Sequence, residues 1–130
     1  MFPEIQTFTI RLASKNGITS QITDYLDELI LENPNMAKKA IYSLSNLPMK
    51  IYVNSDIKPI KTNLAKLFEL RIQSKSDICR FFFVIENPNV IVLYGFTKKT
   101  QKTDTKDINS GVQAYQEYQT SKKSIAFDII

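Results

Sequence analysis

Between Lys66 and Lys102 the chain carries three apolar runs in close succession, each closed by polar residues. In the first, Phe68, Leu70 and Ile72 alternate with Glu69 and Arg71, which is the period of a β-strand. The second run, residues 78–85, is aromatic and β-branched and suits a pleated, largely buried surface. Asn87-Pro88-Asn89 then breaks the pattern, and a third β-branched and aromatic run follows over residues 90–96. The connections are too short for a parallel crossover, so the three runs predict an antiparallel meander.

Upstream, Phe8, Ile10 and Leu12 alternate with Thr9 and Arg11, a short first strand ending in the turn Ser14-Lys15-Asn16-Gly17. Thr19 or Ser20 can cap a helix running to about Asn33, with Ile18, Ile22, Leu26, Leu29 and Ile30 at helical spacing. Asn33-Pro34 ends it and opens a second helix whose face is Ala37, Ala40, Ile41, Leu44 and Leu47. Residues 48–66 are weakly patterned, with a short extended piece expected at 50–53. This connection carries Lys50, Lys58 and Lys61. It reads equally as a loop that embraces a ligand and as a solvated linker. After the meander, Ile108, Val112, Tyr115 and Tyr118 predict a helix over about 103–122 despite Gly111. The apolar tail SIAFDII is an extra strand, a core filler or a docking segment. The order is β-α-α-loop-β-β-β-α over a single domain, residues 1–130. That is an α+β fold: an antiparallel sheet with a helical hairpin on one face and a C-terminal helix, its other face carrying Arg71 and Arg80.

Composition narrows the chemistry. The 130 residues include no histidine, which removes Ser-His-Asp and Cys-His catalysis and His-ligated zinc. Three glycines leave no Gly-rich phosphate loop, so neither metal nor cofactor is expected. The lone Cys79, inside an apolar strand, reads as a small buried hydrophobe. One cysteine, no signal peptide and no membrane-length apolar run point to a cytoplasmic protein.

The net charge of +4 is unevenly spread. Residues 1–49 hold four Lys/Arg against five Asp/Glu, and residues 50–130 hold thirteen against eight. The basic excess therefore travels with the sheet, where it can attract a polyanion such as nucleic acid or simply solvate a surface. Arg71 and Arg80 interrupt strands that are otherwise apolar. Each must reach solvent, a carboxylate or a ligand, because an unpaired buried charge is costly. Lys98, Lys99 and Lys102 follow the last strand. Phe81, Phe82 and Phe83 read as core, although one phase of that run must face the second side of the sheet.

The runs Leu67-Phe68-Glu69-Leu70-Arg71-Ile72, Cys79-Arg80-Phe81-Phe82-Phe83 and, above all, Leu93-Tyr94-Gly95-Phe96-Thr97-Lys98-Lys99-Thr100-Gln101-Lys102-Thr103 resemble the phage-derived HigB-like branch of the RelE/ParE toxin superfamily. The likeness covers about residues 5–120. It implies a ribosome-dependent endoribonuclease that cuts mRNA without metal, neutralised by a HigA-like helix-turn-helix antitoxin in a toxin–antitoxin heterotetramer. By the same resemblance Arg71, Arg80, Lys98 and Lys99 would be catalytic, with Lys102 close behind; Tyr94, Lys102 and the connection lysines Lys58, Lys61 and Lys66 are the candidate RNA-binding residues. Many relatives carry His where Tyr94 stands, and a tyrosine is a poor base near neutrality. Adjacent cations disfavour each other's protonation, which makes Lys98 and Lys99 the candidate bases. Two other classes fit the same residues: a ParE-like topoisomerase poison and a non-catalytic nucleic-acid-binding module.

Overall fold

The computed structural model describes residues 8–50, 56–62, 66–100 and 102–127. Ten elements follow in chain order: β1 (Thr9–Ser14), α1 (Gln21–Glu32), α2 (Pro34–Ser45), α3 (Leu47–Lys50), β2 (Ile57–Ile60), β3 (Leu67–Ser74), β4 (Asp77–Glu86), β5 (Asn89–Lys98), α4 (Thr105–Ser121) and β6 (Lys123–Ala126). The strands form one sheet in the order β2-β3-β4-β5-β1-β6. The expected meander is its centre: β3 and β4 pair Phe68 with Phe83 through Ser74 with Asp77, and β5 pairs with β4 on the other side.

The local signals act as expected at the helices. Ser20 caps α1 by accepting from the backbone N–H of Thr23, and Asn33 caps α2 in the same way through Met36, with Pro34 in the first turn. Ile22, Leu26 and Leu29 of α1 and Met36, Ala37, Ala40 and Leu44 of α2 are buried against the sheet. Ile18 and Ile30, counted to the same stripe, are exposed instead. Ile18 precedes the cap, and Ile30 lies off the buried arc of α1.

Three features depart from the simplest reading. β1 runs parallel to β5, with Thr9 opposite Asn89, while every other pair is antiparallel. After β1 and the helices the chain is at the far edge of the sheet in β2, and three successive antiparallel pairings bring it back, so β5 points the same way as β1. β2 forms in the connection that showed little pattern; its Pro59 is tolerated because β2 is an edge strand. The extended piece expected at 50–53 lies largely outside the described residues, and Lys50 closes α3. The tail resolves as β6, antiparallel to β1.

The sheet has a core on each side. Phe81, Phe83, Leu70, Ile72, Val90 and Val92 face α1 and α2. Leu67, Phe82, Val84, Ile91 and Leu93 face α4 through Ala114 and Tyr118. A register shift between Phe82 and Phe83 puts Leu93 and Tyr94 in succession against the second cluster. The second face is therefore covered over part of its area by α4. Gly111 permits the close approach: a Cβ there would stand 2.7 Å from Phe82 Cδ2 and 3.1 Å from Leu67 Cδ2. Gly95 does the same on the first face, where a Cβ would stand 2.7 Å from Phe81 and 2.8 Å from Tyr25. Cys79 is fully buried beside it, and its Sγ accepts a hydrogen bond from Tyr25 at 3.1 Å. Burial pushes its thiol up to about 12.

These two glycines should respond differently to alanine. Overpacking costs roughly 1–3 kcal/mol at either place, but in α4 the gain in helix propensity offsets about 1 kcal/mol of it. Urea unfolding should therefore rank Gly95→Ala as the more destabilised variant, with Gly111→Ala between it and the parent.

Candidate functional site

On the face shared with α4, alternate residues of four strands stand in rows. One row is Lys58, Glu69, Phe82 and Tyr94; the next is Arg71, Arg80 and Phe96. The strand period thus brings one carboxylate and two guanidiniums side by side. Glu69 and Arg80 are both fully buried, and the Arg71 side chain is 16% exposed. Arg71 Nε donates to Glu69 Oε1 at 2.5 Å, and Arg80 Nη1 lies 3.7 Å from Glu69 Oε2. Burial pulls the Arg80 guanidinium below its ordinary value, against the opposing pull of Glu69.

The segment between β5 and α4 closes this cluster from above. Thr103 Oγ1 accepts from Arg71 Nη2 at 2.8 Å and from Arg80 Nη1 at 2.6 Å. It lies 3.0 and 2.9 Å from the two oxygens of Glu69 and donates to them. Arg80 Nη2 donates to the Thr100 carbonyl, whereas its Nε has no partner among the described residues. Arg80 is therefore covered by protein on every side. Arg80 thus lies beneath Thr100 and Thr103.

Lys98 has a different set of partners. Its ammonium bonds Asp104 Oδ2 at 2.8 Å and also Asp107 Oδ2. Asp104 is the N-cap of α4 and forms a capping box with Asp107. The bonds to Asp104 and then Asp107 hold the lysine above its ordinary pKa, opposite to the lowering expected from its neighbour Lys99. The physical reason is contact: two carboxylates touch the ammonium, while Lys99 is exposed to water that screens it. The same bond to Lys98, helped by the Asp107 N–H, holds Asp104 down to about 2.

Beside the network lies a groove lined by Lys58, Pro59, Ile60, Lys61, Arg71, Lys102, Thr103 and Ile108, with a volume of about 550 Å³. It brings Arg71, Lys58, Lys61 and Lys102 together, four cations with no carboxylate among the described residues of the lining. Lys58 and Lys61 arrive there because β2 and the residue after it form one wall, which the sequence pattern did not reveal. The remaining candidates stand apart from the lining. Tyr94 packs 5.9 Å from Phe96, Lys98 is paired as above, and Lys66 and Lys99 are exposed elsewhere. Thr103 is the member that sequence reasoning passed over, while Glu69, which the sequence offered as the ion-pair partner of Arg71, does fill that place. The signal for that pairing was Glu69 two residues before Arg71, on the same strand face. Among the described residues, no group of three or more His, Cys, Asp or Glu converges to hold a metal, and no helix is long and apolar enough to cross a membrane.

The Lys98–Asp104 pair carries a pH signature. Asp104 has a lower pKa folded than its ordinary value near 3.9, so its contribution is complete above about pH 4 and disappears as the pH falls through 2. Protection of the first-turn amides of α4, taken relative to the unfolded exchange rate at each pH, should fall over that window. In Lys98→Met the loss of protection should begin at higher pH, because the lysine bond that depresses Asp104 is gone.

The comparisons with known proteins agree with this architecture. No curated protein sequence matches the chain. The profile of the family described as Phage derived protein Gp49-like (DUF891) matches residues 20–116, from the cap of α1 through most of α4, and so includes the whole arginine network and every wall of the groove. By that match, which covers well over half of the sequence, the chain belongs to the phage-derived Gp49-like family, a group of RelE-like toxins of toxin–antitoxin systems.

Proposed function

We propose that this protein is the toxin of a type II toxin–antitoxin pair and a ribosome-dependent mRNA endoribonuclease of the HigB kind. The observation that carries this reading is the groove: four cations, no carboxylate among the described residues of its lining, and one of the four, Arg71, fixed from behind by Glu69 and Thr103. A flexible basic patch would bind a polyanion. A guanidinium held in place can in addition oppose charge that develops at one phosphate.

The reaction that suits a histidine-free site is attack of an RNA 2′-oxygen on its own phosphate. The new O2′–P bond forms as the P–O5′ bond breaks, giving a 2′,3′-cyclic phosphate and a 5′-hydroxyl. Arg71 faces the non-bridging oxygens, whose negative charge grows in the transition state. Lys58, Lys61 and Lys102 hold the flanking phosphates, and an ammonium among them can protonate the departing 5′-oxygen. The 2′-oxygen loses its proton to a base outside the arginine network, since Glu69 is engaged by Arg71 and Thr103. Holding the RNA in line accounts for the largest part of the acceleration, up to ~7–11 kcal/mol in favourable intramolecular cases. On this reading the ribosome presents the message, so weak acid–base groups suffice. Tyr94, Lys66 and Lys99, outside the groove, are assigned to flanking RNA or ribosomal RNA on this reading. The partner that silences the toxin is a helix-turn-helix, HigA-like antitoxin assembled with it as a heterotetramer, and the setting is the cytoplasm.

The catalytic set is accordingly Arg71 in the groove, with Arg80 acting from beneath it and Lys98 anchoring α4. Arg71→Lys, which keeps a cation beside the buried Glu69 and loses the guanidinium fork, should lower single-turnover cleavage on ribosomes by about 10²–10³, by analogy with loss of one oxyanion donor, while the protein stays folded and binds its antitoxin. Arg80→Ala should instead destabilise the fold by about 3–5 kcal/mol, because it strips a buried carboxylate of a partner. If expression of the parent chain halts translation with mRNAs intact and DNA-damage signals rising, the topoisomerase-poison reading replaces this one.

The groove lysines should show themselves through salt. Each phosphate contact contributes about 0.7 to the slope of log affinity against log salt for single strands. Lys58→Gln, Lys61→Gln and Lys102→Gln should each flatten the slope by about that amount for a short single-stranded RNA. Unchanged slopes in all three would remove the groove as the RNA path.

A further inference from the structure

Thr103 is a small side chain with an unusual load. A hydroxyl has one hydrogen to give and two lone pairs to receive. Here both lone pairs are taken by guanidiniums, Arg71 Nη2 at 2.8 Å and Arg80 Nη1 at 2.6 Å, and the hydrogen points to the carboxylate of Glu69 at 3.0 and 2.9 Å. Its full capacity is used on three charged groups that otherwise have too few partners for one another, since two arginines share one carboxylate. Glu69 and Arg80 are fully buried and cannot turn to water for the missing bonds.

Arg71 is held on one side only. Its Nε bonds Glu69 and its Nη2 bonds Thr103, and neither contact uses Nη1. Nε and Nη2 form one edge of the planar guanidinium, so the plane is fixed while the far end is left for the groove that Arg71 and Thr103 line together. Removing either contact would leave the plane free to rotate about the remaining bond.

We propose that Thr103 is a positioning residue, whose hydroxyl sets the plane of the Arg71 guanidinium in the groove and is itself held by the buried Glu69–Arg80 pair. The kinetic consequence rests on the ribonuclease reading above. The geometric one does not. Thr103 contributes through turnover rather than affinity, because binding of the RNA backbone depends on the groove lysines, whereas opposing charge at one phosphate depends on where the guanidinium points. A misplacement near 1 Å can cost on the order of 10² in rate.

The test compares Thr103→Val, which keeps the shape and loses the hydroxyl, with Thr103→Ser, which restores it. Single-turnover mRNA cleavage on ribosomes is expected to fall about 10- to 100-fold in Thr103→Val and to return within about threefold of the parent in Thr103→Ser. Affinity for a short single-stranded RNA should stay within about threefold in both. In parallel, the Arg71 Nη2–H resonances, assigned by their absence in Arg71→Lys, should be protected from exchange in the parent and Thr103→Ser and should be lost to rapid exchange in Thr103→Val. Full turnover in Thr103→Val, an unchanged Arg71 signal in that variant, or a folded Thr103→Ser as slow as the valine variant would each overturn the assignment. If the parent cuts no RNA but the Arg71 signal follows the hydroxyl as described, the ribonuclease reading falls and the placement of Arg71 by Thr103 stands.

Discussion

The burial of Glu69 between two arginines is the constraint around which the second face of the sheet is built. A carboxylate inside a strand, with no access to water, is stable there only if cations and hydrogen-bond donors surround it. Arg71 and Arg80 supply the charge from neighbouring positions in the sheet. Thr103 supplies the hydroxyl, and Thr103 reaches the cluster only because the chain after β5 folds back over β4. That return fixes the start of α4, and Gly111 then lets the helix settle on Phe82. A substitution at Glu69 would thus disturb the helix as well as the strand.

Charge is segregated on this face. Arg71, Arg80 and Lys98 are matched in number by Glu69, Asp104 and Asp107, and these six groups bond or ion-pair among themselves. The matched groups form a frame that tolerates burial. Lys58, Lys61 and Lys102 stand outside it, at the groove, with no carboxylate among the described residues of the lining. The field that an approaching polyanion meets comes mainly from those three and from the exposed end of Arg71. Salt should weaken attraction to the groove far more than it weakens the frame, because screening acts on exposed charges.

Much of the fold was legible because the apolar periods were clean. The meander, the first strand and both helices of the hairpin follow from positions such as Phe68, Leu70 and Ile72, or Ile22, Leu26 and Leu29, whose spacing admits one buried face. β2 was not legible. Edge strands need no continuous apolar face, and Ile57-Lys58-Pro59-Ile60 alternates too little to register. Gly111 argued against a helix by propensity, and packing against Phe82 overrode it. The site was legible in its residue types and less so in its contacts. Arg71 stood out as a charge in a strand, but nothing in the linear pattern joins Thr103 to Glu69 across thirty-four positions. The lysine pair at 98 and 99 looked like two mutually repelling neighbours. In three dimensions one of them belongs to a helix cap.

The parallel pairing of β1 with β5 has a consequence in time. Thr9 lies opposite Asn89, and on its other side β1 pairs with β6, so β1 has no strand partner until β5 or β6, both made much later in the chain, exists. Contacts this distant in sequence close late. A nascent chain that has produced β1 and the helical hairpin holds apolar faces with no sheet to receive them, and Arg71 stays unrestrained until Thr103 has been added. Each copy therefore lacks its completed arginine network for as long as it is still being translated.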